Sequence, residues 1–108
     1  YGCFCLYKLQ YLMMLLRIVR MEFQKEKVAE FQELFKNIKD KISDFEGCET
    51  LHLYKDQHQF NVFYTHSHWL SVEHLNKYRA SAFFRMTWAE VKVLFADKPR
   101  AYSLVEEG

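Results

Sequence analysis

Three histidines are the first residues in this sequence that suggest a site of chemistry. His66 and His68 lie two residues apart in one predicted strand, and His52 lies in the strand before it. Residues two apart in a strand face the same side of a sheet, so the three imidazoles could meet and bind a metal ion. No carboxylate or cysteine obviously completes such a site. We therefore favour histidines that line an interface, and expect no metal site.

A second group of residues could bind a small organic molecule. It combines three polar side chains with three aromatic ones, namely Arg17, Thr65, Ser67, Trp69, Tyr78 and Trp88. Polar groups set among aromatic ones, between a sheet and its helices, are typical of a small-molecule pocket. The alternative is plain core packing, with the hydroxyls bonded to backbone and Arg17 reaching solvent at a strand end.

The cysteines and glycines argue against several other kinds of site. Cys3, Cys5 and Cys48 are odd in number, and two of them form a C-x-C pair, which is not a disulfide framework. We interpret them as free thiols and expect a reducing, cytoplasmic compartment. The chain has only three glycines and no phosphate-binding loop, and Ser67 lacks the G-x-S-x-G setting of a nucleophilic serine.

The composition is that of a single folded domain. The chain has 108 residues, of which 50% are hydrophobic and 18% aromatic, and this excludes a disordered or collagen-like chain. The net charge of +1 provides no basic surface for nucleic acid. The third predicted strand also lacks the basic, glycine-containing signature of an RNA-recognition module. We therefore expect no nucleic-acid partner.

The N-terminal segment is apolar but does not have the pattern of a membrane span. Lys8, Gln10 and Arg17 interrupt residues 6–18, which are too few to cross a bilayer, so we expect no membrane partner. Met14 comes just before a clean strand pattern. We interpret residues 1–13 as an N-terminal extension outside the fold and residues 14–108 as one domain.

Hydrophobic periodicity predicts the elements that must position these side chains. Alternating or apolar, β-rich runs predict strands at residues 15–23, 48–55, 60–69 and 100–105. Spacings of three and four predict helices at residues 28–45, 72–78 and 82–96, the last two capped by Ser71 and Ser81. This order predicts an α+β, ferredoxin-like split βαβ fold, a four-stranded antiparallel sheet with helices on one face.

Alternation along the strands divides their residues between the two faces of the sheet. One set, which we expect under the helices, comprises Arg17, Val19, Met21, Phe23, Leu51, Leu53, Phe63, Thr65, Ser67, Trp69, Tyr102 and Leu104. The other comprises Leu16, Ile18, Arg20, Glu22, His52, Tyr54, Val62, Tyr64, His66, His68, Ala101, Ser103 and Val105.

The second set would form a larger wet apolar patch than a monomer usually exposes. A second copy of the same sheet, packed face to face about a two-fold axis, would bury it by one isologous contact. We therefore expect a homodimer. The alternative is that the N-terminal extension covers this face.

The run from Ser67 to Trp88, SHWLSVEHLNKYRASAFFRMTW, resembles the antibiotic biosynthesis monooxygenase (ABM) family. It is similar to that family's strand-end Trp, Ser-capped helix and short S-x-x-F step into the last helix. The opening strand and the charged helix that ends in FEGC, residues 45–48, are also typical. The resemblance covers residues 14–107 and implies a dimeric α+β barrel, in which two ferredoxin-like sheets pack face to face.

The resemblance also implies a choice between activities. Some family members are cofactor-free monooxygenases that oxidise phenols or quinols with O₂, and others degrade heme. The heme-degrading branch needs Asn, Trp and an iron-binding His at the positions of Val19, Tyr78 and Trp88. An indole nitrogen is a donor only and cannot bind iron, so heme degradation is disfavoured.

The resulting expectation is a cofactor-independent monooxygenase that acts on a small electron-rich aromatic or quinol and needs no cofactor. We assign Tyr78, Thr65 and Ser67 to catalysis, and Trp69, Trp88, Arg17 and Phe83 to substrate binding. The alternative is a non-catalytic dimeric domain that binds small molecules. It is favoured by Tyr78, because quinol-oxidising members commonly carry His at that position. A third possibility, isomerase-type proton transfer, lacks a carboxylate in the predicted pocket.

Overall fold

Seven main elements follow one another in the predicted order. The computed structural model describes residues 14–107, so the predicted N-terminal extension lies outside the described residues. The elements are β1 (Leu15–Glu22), α1 (Val28–Ser43), β2 (Cys48–Lys55), β3 (Val62–Trp69), α2 (Val72–Arg79), α3 (Ala82–Lys92) and β4 (Arg100–Val105). A short 3₁₀ turn, Lys25–Lys27, leads into α1.

The four strands form one antiparallel sheet in the order β2-β3-β1-β4. This is the ferredoxin-like arrangement, and the predicted α+β fold is confirmed. β1 is central, because it pairs with β3 on one side and β4 on the other. Among residues 14–107, no helix is long and apolar enough to cross a membrane.

The core lies between the sheet and α1. Phe31, Phe35 and Ile42 are buried on one side of this helix, as their spacing predicts. Phe31 stacks on Phe23 at the end of β1, with 4.0 Å between ring centroids, and Phe63 of β3 meets both rings. This cluster joins α1 to the sheet. Its contacts are possible because Phe23 and Phe63 lie on the helix side of the sheet, as the alternation of residues along β1 and β3 predicts.

The last two helices begin at serine caps. Ser71 Oγ accepts a hydrogen bond from the backbone N–H of His74 at 3.2 Å. Ser81 Oγ accepts one from the backbone N–H of Phe84 at 3.0 Å. α3 ends at Lys92, four residues earlier than predicted, because the chain then turns to pair with the end of β1. Its final aromatic residue, Phe95, forms a bridge with Phe23.

The predicted faces of β4 are wrong. Ser103 lies opposite Arg17, and Tyr102 lies opposite Ile18. Directly opposed residues share a face, so Ala101, Ser103 and Val105 are on the helix side while Tyr102 and Leu104 are on the open side. Apolar alternation was misleading here because all six residues of β4 are exposed and the strand contributes nothing to the buried core.

The open side of the sheet carries an exposed apolar surface. Tyr54, Tyr102 and Leu104 are 50%, 51% and 47% exposed. Val62, which we expected in this surface, is fully buried. It exchanges backbone hydrogen bonds with Gln59 and Asp56, so the β2–β3 turn lies directly beside it.

Gly47 is required where α1 passes into β2. Its φ is +90°, and a Cβ atom there would overlap the imidazole of His74. We expect Gly47→Ala to lower the free energy of unfolding by about 2 kcal/mol or more, since backbone strain and overlap add. Urea unfolding measures this. In a His74→Gly background, which removes the overlapping Cβ atom as well as the ring, the same change should cost about 1 kcal/mol, the backbone part alone. Equal costs in both backgrounds would contradict the overlap.

Candidate functional site

A cavity of about 320 Å³ lies between the sheet and the three helices. Its volume falls at the lower end of the range for small-molecule sites, and its lining is predominantly apolar. Phe31, Phe35 and Leu75 line its buried part, and Arg79 and Ala101 line an exposed part beside β4. The cavity therefore runs from a dry interior to a mouth near the uncovered strand.

Six of the seven predicted site residues line this one cavity. They are Arg17, Thr65, Ser67, Trp69, Tyr78 and Trp88. The seventh, Phe83, lies outside it and packs against Phe45, with 5.7 Å between ring centroids. Phe84 lines the cavity instead, because it is one helical turn before Trp88 and shares its face of α3.

Trp69 and Ser67 form a buried pair at the end of β3. The indole N–H of Trp69 donates to Ser67 Oγ at 3.0 Å, and both side chains are less than a tenth exposed. The Ser67 hydroxyl thus satisfies a buried donor and holds the Trp69 ring in place. This hydrogen bond orients the indole of Trp69, which lines the cavity.

Aromatic rings form a continuous wall under α2 and α3. Tyr78 stacks on Trp69 with 5.1 Å between centroids and meets the edge of Phe84 at 5.1 Å. Phe84 in turn lies nearly parallel to Trp88 at 6.0 Å. Ser81 links the two helices, since its Oγ donates to the Tyr78 carbonyl at 2.7 Å as well as capping Phe84.

Tyr78 is the phenol of the cavity, and it stays protonated at neutral pH. Burial, with a smaller effect of Cys48, raises the pKa of its hydroxyl well above the ordinary tyrosine value. Its hydroxyl makes no hydrogen bond within residues 14–107. Since none of the fully buried polar side-chain atoms in these residues lacks a partner, the unpaired Tyr78 hydroxyl must be accessible to solvent or to a ligand. Tyr78 can therefore donate a hydrogen bond to a ligand, but it cannot act as a base.

Arg17 is the central cation of the cavity. Its Nη1 donates to Ser103 Oγ, directly opposite on β4, at 2.8 Å. Burial, and next the charge of Arg79, lower the pKa of this guanidinium. An arginine nevertheless remains charged at neutral pH. The cavity thus contains a positive group that a ligand anion can approach.

Sequence reasoning missed two cavity residues, Phe84 and Arg79, and Ser103, the hydrogen-bond partner of Arg17. Phe84 could have been found, because it lies on the same helical stripe as Trp88. Ser103 was assigned to the other face, and only the β1–β4 register brings it to Arg17. Arg79 carries no signal in the sequence, since a basic residue in the last turn of a helix is ordinary.

The histidines of the first hypothesis lie on the opposite face. His66 and His52 are paired across β2 and β3, and the ring of Tyr54 meets His66 edge-on at 4.9 Å. His68 Nδ1 is 2.7 Å from Thr50 Oγ1. Among residues 14–107, no three His, Cys, Asp or Glu side chains are close enough to hold a metal ion. The described lining of the cavity likewise contains no His, Asp or Glu.

Cys48 provides a pH test of the region around Tyr78. Burial, with a smaller effect of Glu49, raises the pKa of its thiol from 9.0 to about 11. In a chain with Cys3→Ser and Cys5→Ser, the native thiolate absorbance should therefore rise with a midpoint near 11. Because the pKa of Cys48 is higher in the folded chain than in the unfolded one, the protonated thiol stabilises the fold. This contribution to the free energy of unfolding is complete below pH 9.0 and is lost as the pH rises towards about 11. Adding Cys48→Ala should remove that loss, and a native midpoint near 9 would contradict the burial.

Comparisons with known proteins agree with this architecture. A conserved protein from Methanosarcina mazei Go1 is 16% identical over 93% of this chain and 99% of that chain, with a TM-score of 0.87. An antibiotic biosynthesis monooxygenase structure is 15% identical over 87% and 99%, with a TM-score of 0.82. Rv0793 from Mycobacterium tuberculosis is 16% identical over 88% and 96%, with a TM-score of 0.80. At these identities the likeness establishes the fold.

The family assignment comes from the sequence itself. No curated protein sequence matches the chain. The profile of the ABM family, described as antibiotic biosynthesis monooxygenase, matches residues 14–89. That range runs from β1 into α3 and contains the six predicted site residues that line the cavity. The chain therefore belongs to the antibiotic biosynthesis monooxygenase family.

Proposed function

We propose that this protein is a cofactor-independent monooxygenase that acts on a small electron-rich aromatic, such as a hydroxynaphthalene or a quinol. The observation that carries the proposal is the cavity itself, in which an aromatic wall meets a phenol donor and a partly buried cation. A dry cavity of about 150 Å³ holds benzene. About 320 Å³ therefore suits a ligand of one to two fused rings.

In the proposed reaction the substrate supplies the electrons that a flavin or metal provides elsewhere. A hydroxyaromatic loses its phenolic proton, and the anion transfers an electron to O₂. When a ring C–H and the phenolic O–H of a hydroxynaphthalene become two C=O groups, four electrons leave the substrate, one oxygen atom is retained and the other leaves as water. For a quinol hydroxylated at a ring C–H, the same four-electron balance gives a hydroxyquinone and water.

The side chains of the cavity support this chemistry by stabilising the anion. Arg17 lowers the pKa of a bound phenol by favouring its ionised form, and Tyr78 donates a hydrogen bond to the oxygen as charge develops. No described lining residue is a carboxylate or imidazole, so the phenolic proton leaves to solvent. Thr65 lies on the same sheet face, on β3, and offers a further hydroxyl to the substrate.

Oxygen consumption with a panel of quinols and naphthols tests the proposal. We expect turnover that increases with pH until the bound substrate is ionised. Tyr78→Phe should lower kcat/KM about tenfold or more, because it removes only the hydrogen-bond donor. Tyr54→Phe is the matched control, since it removes a hydroxyl from the exposed open face. Equal activity of Tyr78→Phe and wild type would contradict the role of Tyr78.

The competing function is a non-catalytic domain that binds small aromatic molecules. It is favoured by the lack of a base in the described lining of the cavity. In that case naphthols would raise the melting temperature of the protein, but no compound of the panel would cause O₂ consumption. That result would overturn the oxygenase and establish the binding domain.

A homodimer completes the proposal. The open face exposes Tyr54, Tyr102 and Leu104, an apolar surface that a second copy of the same sheet would bury. The pairing of β4 with β1 supports the dimer further, because it places the large side chains of Tyr102 and Leu104 on that face. The proposed assembly packs the two sheets face to face, with the two cavities on the outer sides.

Sedimentation of the full chain measures the assembly. We expect about twice the monomer mass of 13.1 kDa. Leu104→Glu, which introduces a charge into the open face, should shift the equilibrium towards monomer. Met86→Glu is the matched control, because Met86 is equally apolar and 69% exposed but lies on α3. A wild-type chain that sediments as a monomer at micromolar concentration would refute the dimer.

A further inference from the structure

Two arginines line the cavity, and neither has an acidic partner among residues 14–107. Arg17 comes from the centre of the sheet, and Arg79 is the last residue of α2. The ion pairs among residues 14–107 are Arg20–Glu22, Lys27–Glu30 and His74–Glu46, and none involves either arginine. Residues 1–13 contain no Asp or Glu. The positive charge at the cavity is therefore not neutralised by any of these groups.

The two guanidinium groups act on the same space. The charge of Arg79 contributes to the lowered pKa of Arg17, which requires that the two cations lie near each other. Two like charges at one cavity repel, and partial burial of Arg17 adds a desolvation cost. An anion placed between them would relieve both effects. A single phenolate would need only one of the two arginines.

Arg17 is held in an orientation that leaves donors free for such an anion. A guanidinium has five N–H donors in a planar fork. Within residues 14–107, its one side-chain hydrogen bond is from Nη1 to Ser103 Oγ, at 2.8 Å. This bond turns the group towards β4 and the exposed part of the cavity. Because the fork is planar, it matches a carboxylate, which is also planar and can accept two parallel hydrogen bonds.

The buried part of the cavity favours an apolar body. Phe31 and Phe35 belong to one buried cluster, Leu75 and Trp69 belong to another, and Tyr78 stacks on Trp69. All of these side chains line the cavity. A ligand that satisfies both the arginines and these apolar side chains has one apolar ring system and one anionic group. The ring would lie among the buried side chains, and the anion would remain beside Arg17 and Arg79.

We infer that the substrate is an aromatic carboxylic acid, with its carboxylate bound by Arg17 and Arg79 and its oxidisable ring against Trp69 and Tyr78. This deepens the proposed function and rests on the same cavity. In that arrangement the arginines bind the permanent carboxylate directly, and Arg17 favours the phenolate of the proposed reaction only through its charge at a distance. The arginines fix the orientation of the ring, and Tyr78 is left to interact with the reacting oxygen.

Binding without turnover tests the carboxylate separately from the oxygenase reaction. The probes are naphthoate and its neutral counterpart naphthylmethanol, which share a ring system of the right size but are not oxidised by this chemistry. Their affinities can be measured at neutral pH by quenching of tryptophan fluorescence and by calorimetry. We expect naphthoate to bind at least tenfold more tightly, and the difference to shrink at high salt.

Two charge-removing variants identify the groups responsible. Arg17→Met and Arg79→Met keep an apolar stem of similar length. Each should lower the affinity for naphthoate about tenfold and leave that for naphthylmethanol within twofold. Arg85→Met is the matched control on α3, because Arg85 donates to the Ala80 carbonyl and does not line the cavity. It should change neither affinity.

The outcomes separate the two proposals. If the wild-type protein binds the two probes with equal affinity, the proposed carboxylate site is overturned, whether or not the protein consumes O₂ with quinols. Loss of naphthylmethanol binding in both arginine variants would also overturn it, since it would show a general packing role. Tight naphthoate binding by a chain that oxidises nothing would support the carboxylate site and refute the oxygenase.

Discussion

The pairing of β1 with both of its neighbours decides where the polar groups of the cavity lie. Ser67, Arg17 and Ser103 are opposite one another on β3, β1 and β4. They therefore form one polar row across a sheet whose helix side is otherwise largely apolar. A shift of one residue in the β1–β3 pairing would turn Ser67 away from the face that carries Arg17, and the same shift in the β1–β4 pairing would turn Ser103 away. The aromatic core keeps the register, because Met21 and Phe63 must stay paired beneath α1.

The sequence predicts the fold and most of the cavity because both depend on strong periodic patterns. α1 shows its buried stripe through Phe31, Phe35 and Ile42, and the two serine caps show where α2 and α3 begin. The strand parities of β1 and β3 follow from the same regularity. They suffice to bring Arg17, Thr65 and Trp69 under the helices before any coordinate is known.

The remaining features could not be predicted because they depend on tertiary context. β4 has an apolar alternation, but no helix covers it, so its large side chains belong to the open face. Nothing in the sequence near Arg79 indicates a second cation at the cavity. Phe83 and Phe84 are adjacent and identical in type, and only the phase of α3, set by the Ser81 cap, separates a cavity residue from one that packs on Phe45.

The two hydrogen bonds of Ser81 have a consequence for how the cavity is held together. They tie the backbone of Tyr78 to that of Phe84, so the junction of α2 and α3 is fixed beside the cavity. The rings of Tyr78 and Phe84, which meet edge-on at 5.1 Å, project from these two joined segments. One small hydroxyl thus both begins α3 and holds the end of α2, and its loss would release both contacts together.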